Sequence, residues 1–241
     1  PYGITRYLDG LLVTDRDRVL QVAGGKGTLV SSTDRGTGGR FLIAAGIAVS
    51  PDGSIFVVDF AKGELVRVDP KTGDRTVVSS SSVGSGRPFA GPADLAIADD
   101  GTIYVTDASG SSVFAVNASS GDRTVVSDAA TGSGPQLSGP GGIAIEADGS
   151  LLVTDSEIPA LLRVDPGSGD RTLVSGAATG NGPALAAPGG VESGGDGTAL
   201  VVDALRPGAF RIDLTTGDRT IASGAGVGSG PPFSAPLDIA L

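Results

Sequence analysis

Apolar residues fall in short runs along almost the whole chain, and the runs repeat in groups of four. In the second group they are Gly46-Ile47-Ala48-Val49, Ile55-Phe56-Val57-Val58, Leu65-Val66-Arg67-Val68 and Thr76-Val77-Val78. No stretch places apolar residues at helical spacing, so the runs predict strands. Asp-Gly separates the first run from the second at 52–53, 100–101, 148–149 and 196–197, and this dipeptide supplies the positive φ angles of a tight hairpin turn. Between the third and fourth runs lies a turn ending in Gly-Asp-Arg-Thr, at 73–76, 121–124, 169–172 and 217–220, a constant step of 48 residues. A weaker copy, Gly25-Lys26-Gly27-Thr28, falls one step earlier. The second run is continuously apolar in most units, which predicts a strand buried on both faces, as in a sheet sandwiched between two neighbours. Four-stranded antiparallel sheets repeating at such a period predict the blades of a β-propeller.

After the fourth run, a Gly/Ser-rich connection leads to a large apolar residue at a fixed offset: Phe41, Phe89, Leu137, Leu185 and Phe233. Its residue type predicts a plug packed between adjacent blades, with an aromatic ligand platform as the alternative. The expected fold is therefore all-β, a single domain over 1–241 forming a five-bladed β-propeller of four-stranded antiparallel blades. The ends bear on closure. Leu237-Asp238-Ile239-Ala240-Leu241 matches the first run of a unit and stops there, while Leu11–Thr14, Val19–Val22 and Thr28–Ser31 lack an inner strand. The expectation is that the C-terminal strand closes the ring by filling that place, which removes open strand edges. Gly3 to Gly10 aligns with Gly46 to Gly53 and competes for the same position, with Arg6 and Tyr7 making it the poorer core strand. A C-terminal strand donated to another subunit would instead give assembly by strand exchange.

The texture Asp-Gly-(Ser/Thr)-x-x-Val-(Thr/Val)-Asp followed by Leu-x-Arg-Val-Asp, as in 148–155 and 161–165, resembles NHL-type propellers and the related gluconolactonase and streptogramin-lyase superfamily. Five units is fewer than the six or seven usual for them. The resemblance implies the fold; the functions it implies range from protein and RNA binding to lactone hydrolysis.

Composition narrows the chemistry. With 17 Lys and Arg against 27 Asp and Glu, the net charge is −10, which argues against nucleic acid or an anionic membrane surface as partner. No apolar run approaches the roughly 18 residues of a membrane span. Cysteine is absent, so there is neither a disulfide nor a thiolate nucleophile. Histidine is absent too, which removes the commonest general base and the Ser-His-Asp triad. The sequence also lacks a Gly-x-Ser-x-Gly elbow, a phosphate-binding loop and an Asp-x-Asp-x-Asp-Gly calcium loop. Carboxylates, Arg, Lys and Tyr remain. Asp59, Asp107, Asp155 and Asp203 close the second strand of each unit, as Asp15 does in the first; residues repeated in every blade are read as turn caps. The Asp-Arg pairs at 74–75, 122–123, 170–171 and 218–219 are read as charge on the outer edge strand.

Function is sought where the repeat breaks. The inner strands begin at Gly46, Asp94, Gly142, Gly190 and Asp238, and two residues on the series reads Ala48, Ala96, Ala144, Glu192 and Ala240. A charge in a series of alanines is a costly core choice unless it is paired. Asp94, Glu192 and Asp238 are therefore candidate ligands for a divalent cation such as calcium, the resemblance implying a metal held by inner-strand carboxylates; solvated channel carboxylates are the alternative. The loops after the second strand differ between units, and variable loops on a rigid ring carry specificity. They make Lys62, Glu64, Glu157 and Arg206 candidate ligand contacts. The reading is a non-enzymatic module without a required cofactor, secreted or on the cell surface, that binds a protein partner or self-associates. The alternative is a metal-dependent, lactonase-like hydrolase. A carbohydrate ligand ranks lower, since there is no Trp and there are only 7 Phe and 3 Tyr for stacking. Pro1 in place of Met fits a processed or excised chain.

Overall fold

The computed structural model describes residues 2–224 and 226–241, and these form twenty strands and no helix. The first blade comprises β1 (Ile4–Tyr7), β2 (Gly10–Asp15), β3 (Arg18–Ala23) and β4 (Lys26–Ser31). The second comprises β5 (Ala44–Val49), β6 (Ile55–Asp59), β7 (Glu64–Val68) and β8 (Arg75–Ser79), and the third β9 (Pro92–Ile97), β10 (Thr102–Asp107), β11 (Ser112–Asn117) and β12 (Arg123–Ser127). The fourth comprises β13 (Pro140–Ile145), β14 (Leu151–Asp155), β15 (Ala160–Val164) and β16 (Arg171–Ser175), and the fifth β17 (Pro188–Ser193), β18 (Thr198–Asp203), β19 (Gly208–Asp213) and β20 (Arg219–Gly224). Within each blade every strand pairs antiparallel with the next. The Asp-Gly turns form as expected: Gly53, Gly101, Gly149 and Gly197 have φ between 82° and 88°. The preceding Asp accepts the amide two residues on, as Asp148 Oδ1 does from Ser150 N at 2.9 Å.

Each blade has two apolar faces and can bury neither alone. Four buried clusters fill the four junctions between successive blades. In the second junction Phe56, Val58 and Leu65 meet Ile103, Val105 and Phe114 around the plug Phe89. Phe41, Phe89, Leu137 and Leu185 are all plugs of this kind, none more than 8% exposed.

The rim of each junction is closed by polar groups. The arginines of Gly-Asp-Arg-Thr, expected at the surface, are buried: Arg171 is 2% exposed. Its Nη1 donates to Ser127 Oγ at 2.6 Å on the preceding blade, and its Nε to Pro135 O at 2.5 Å in the connection that leads out of that blade. Arg75, Arg123 and Arg219 clamp Ser31, Ser79 and Ser175 in the same way. The adjacent aspartates hold the same connection, as Asp170 Oδ1 does by accepting from Ser133 N at 2.7 Å. The Asp-Arg pair is thus a cross-blade clamp, and the expectation of edge charge is corrected. The outer strand is an edge of its own sheet, but its arginine points along the joint into a nest of carbonyls.

Closure also differs from expectation. The inner place of the first blade is taken by β1, in register Ile4↔Val13 to Tyr7↔Gly10. Residues 8 and 9 form a tight turn between β1 and β2, with Leu8 at a φ of 53°, and such a local hairpin closes at far lower entropic cost than pairing with a strand more distant in sequence. Arg6 is accommodated by pointing out to solvent, and Tyr7 packs against the first junction. Residues 237–241 instead lie at the seam beyond β17, where Gly190 N donates to Leu237 O at 2.7 Å.

Arg171→Ala is expected to lower unfolding stability by about 2–4 kcal/mol, since it strands buried acceptors around a lost charged donor. Lys26→Ala, at the exposed position of the first blade that matches Asp74, is expected to change it by less than about 0.5 kcal/mol. Urea unfolding of both variants measures the difference.

Candidate functional site

The inner strands converge on a central channel, and the glycines that start them allow the close approach. A methyl carbon added at Gly46 would lie 2.3 Å from Asp94 Oδ1, and one at Gly190 would lie 2.1 Å from Asp238 Oδ1. Each glycine makes the space that the next segment's carboxylate fills. The other oxygen of each carboxylate reaches onward: Asp94 Oδ2 accepts from Ile143 N at 3.1 Å, and Asp238 Oδ2 from Ile4 N at 2.7 Å. The same stitch thus occurs twice around the axis, and the second links residues 237–241 to the first blade.

These carboxylates sit at the waist of the channel. On one side a cavity of about 360 Å³ is walled by Tyr2, Ile43, Phe60, Leu237 and inner-strand glycines, with Asp94 and Asp238 at its base. On the other lies a cavity of about 160 Å³ bounded by Ile97, Ala144, Val191 and Glu192, with the same two aspartates as its ceiling. Burial pushes the Asp94 carboxyl well above its ordinary value, and the charges of Asp238 and Glu192 add to the effect. Burial raises Asp238 to about 7. Glu192, on β17, is also raised to about 7, first by burial and then by Asp238. The channel therefore brings the three sequence candidates into electrostatic contact. Among the described residues, however, no three carboxylates gather closely enough to hold a metal ion between them, and Asp94 and Asp238 already accept backbone amides.

The recurrent aspartates Asp59, Asp107, Asp155 and Asp203, at the ends of the second strands, are buried caps. Asp107 accepts from Ala90 N at 2.6 Å, Gly91 N at 2.8 Å and Gly110 N at 2.9 Å, which fixes the turn after the second strand beside the connection into the first. The loop candidates divide. Lys62 Nζ and Glu64 Oε2 form an ion pair at 2.6 Å, both partly buried, and so satisfy each other. Glu157 and Arg206 stand exposed on two other loops. The sequence reading missed the apolar residues of these loops: Leu205 is 74% exposed, and Phe60 and Ile158 are each more than a third exposed. Their signal was present, since each is a large apolar residue just outside a strand run.

The two groups raised to about 7 make stability depend on pH. Their ordinary values are 3.8 and 4.5, so between about pH 4 and pH 7 the folded chain binds more protons than the unfolded one, and stability falls as pH rises through that window. The turn aspartates with lowered values, such as Asp52 and Asp196, act only below it. The melting temperature is expected to fall between pH 5 and pH 8, and to fall less in Glu192→Gln. An unchanged slope in that variant, followed by scanning calorimetry, would contradict the assignment.

No protein-family profile matches the sequence, and no curated protein sequence matches it. Among solved structures the chain is similar to virginiamycin B lyase from Staphylococcus aureus, at 21% identity over 99% of this chain and 73% of that one, with a TM-score of 0.67. It is similar to a chain of a nidogen–laminin complex at 17% identity, over 91% of this chain and 78% of that one, TM-score 0.71. It is also similar to a gluconolactonase from Xanthomonas campestris at 16% identity, over 98% and 77%, TM-score 0.73. At these identities the likeness is one of fold: the chain is a five-bladed β-propeller.

Proposed function

We propose that the protein is a non-enzymatic recognition module, secreted or on the cell surface, that holds a protein partner on the loop face of its propeller. The observation that carries this reading is the apolar rim on that face. Tyr2, Leu42, Phe60, Ile158 and Leu205 are all more than a third exposed, and they stand where the turns after the second strands and the inter-blade connections emerge. Exposed large apolar side chains grouped on one face mark a contact surface, and aromatic anchors with charged neighbours such as Glu157 and Arg206 are the usual composition of one. The nidogen–laminin likeness supports a protein partner only at the level of fold. Self-association through the same rim, or through the terminal segment, is the other form of this role.

A second reading, a metal-dependent lactonase-like hydrolase using Asp94, Glu192 and Asp238, is favoured by their convergence on the channel and by the gluconolactonase likeness. It ranks lower because the chain has no His and two of its three carboxylates are engaged as stitches.

On an array of extracellular proteins, the wild-type chain is expected to give saturable binding that drops at least tenfold when Phe60, Ile158 and Leu205 are replaced by Ser, with the melting temperature kept. Binding that survives the triple replacement would contradict the loop-face reading. Calorimetric titration with calcium or zinc is expected to give no binding heat, and a saturable heat accompanied by opening of glucono-lactone would establish the hydrolase instead.

A further inference from the structure

The larger cavity of the channel has walls and a floor of opposite kind. Tyr2, Ile43, Phe60 and Leu237 form its walls with inner-strand glycines, and Asp94 and Asp238 form its floor. Its volume of about 360 Å³ falls in the range of small-molecule sites, about 300–1,000 Å³. Nothing positive faces the floor. No Lys or Arg lines this cavity or the smaller one beneath it, and neither aspartate takes part in an ion pair among the described residues. The neighbouring inner strands β5 and β13 carry no charged residue, and Arg6 of β1 points to solvent. The charges that Asp94 feels are those of Asp238 and Glu192, like its own.

The floor retains acceptor capacity. Asp238 Oδ1 accepts from Ile239 N at 2.8 Å and Oδ2 from Ile4 N at 2.7 Å, and a carboxylate oxygen has two lone pairs, so each oxygen keeps one for a further donor. We propose that the cavity binds a small organic ammonium, its charged head on Asp94 and Asp238 and an apolar, ring-sized body between Tyr2, Ile43, Phe60 and Leu237. Charge complementarity selects this occupant. A cation offsets the cost of burying unpaired carboxylates, whereas a neutral apolar molecule leaves that cost in place and a bare metal ion leaves the apolar walls uncovered. A primary ammonium brings three donors and no acceptor, which suits a floor of acceptors. A free amine fits better than a lysine side chain of a protein partner, because an unbranched stem would leave most of the cavity empty. The site does not depend on the loop-face reading. Tyr2 and Phe60 belong to both surfaces, but the probes are small molecules, so their failure would leave the array result standing.

Three probes separate head from body: phenylbutylamine, phenylbutanol with the same ring and chain but no charge, and lysine blocked at both backbone ends, with the charge but no ring. The intact protein is titrated at pH 8, above the value of about 7 to which burial raises Asp238. Binding is followed by calorimetry and by NMR of the Ile4 and Ile143 amides, which donate to the two carboxylates. Phenylbutylamine is expected to bind saturably, one to one, and to shift both amides; phenylbutanol and blocked lysine are expected to bind at least tenfold more weakly. Asp238→Asn keeps an oxygen for Ile4 N, and is expected to weaken the amine at least tenfold while leaving the alcohol unchanged. If that variant does not fold, the ratio of amine to alcohol affinity in the wild-type protein decides. No saturable amine binding, alcohol binding as tight as the amine, or amine binding with both amides unmoved would overturn the site. Blocked lysine binding as tightly as phenylbutylamine would overturn the assignment to a free amine.

Discussion

A single blade of this repeat has two apolar faces and only one sheet, so its stability depends on having neighbours. The joint between blades is the interaction on which everything else rests. It combines a buried apolar layer, a plug from the connecting segment and an arginine clamp at the rim. The apolar layer is a large contributor, since truncating one fully buried leucine such as Leu152 would cost about 2–5 kcal/mol. The clamp supplies alignment. Its guanidinium serves a serine hydroxyl and several carbonyls at once, and so sets where one outer strand lies relative to the next.

At the axis the same need for close approach takes a different form. Inner strands come so near each other that glycine is required at Gly46 and Gly190, and the space it frees is filled by an aspartate of the next segment. Burying those carboxylates raises their proton affinity, and each is offset by an amide from the strand beyond. The acidic waist is therefore first a structural device. Above it, a glycine-lined mouth opens beside the partly exposed Phe60.

Strands, turns and blade count were legible in the sequence because each depends on a few consecutive residues: an apolar run, an Asp-Gly, a plug at a fixed offset. The arginines were misread because their partners lie 44 residues away, and nothing local distinguishes a solvated outer-strand charge from a clamped one. One hint was present: the Asp-Arg pair lapses in the first unit, the one unit with no blade packed in front of it. The place of β1 was obscured by Arg6 and Tyr7, which look wrong for a core strand until the hairpin through Leu8 and Asp9 is seen to point Arg6 outward. That Asp94 stands in an inner strand could be read from the repeat, whereas the strand expected to begin at Asp238 does not form. That they accept amides from the next strand could not, because it depends on the distance between neighbouring inner strands.

Four closed joints and one open sector make a ring of identical units unequal in a way that can be measured along the chain. Hydrogen–deuterium exchange of the intact protein compares the connection 226–233 and strand β20 with their counterparts at each closed joint, such as 178–185 and β16. The expected result is rapid exchange in 226–233 and β20 and strong protection at the four counterparts. Uniform protection across all five would contradict the dependence of each blade on a clamped neighbour.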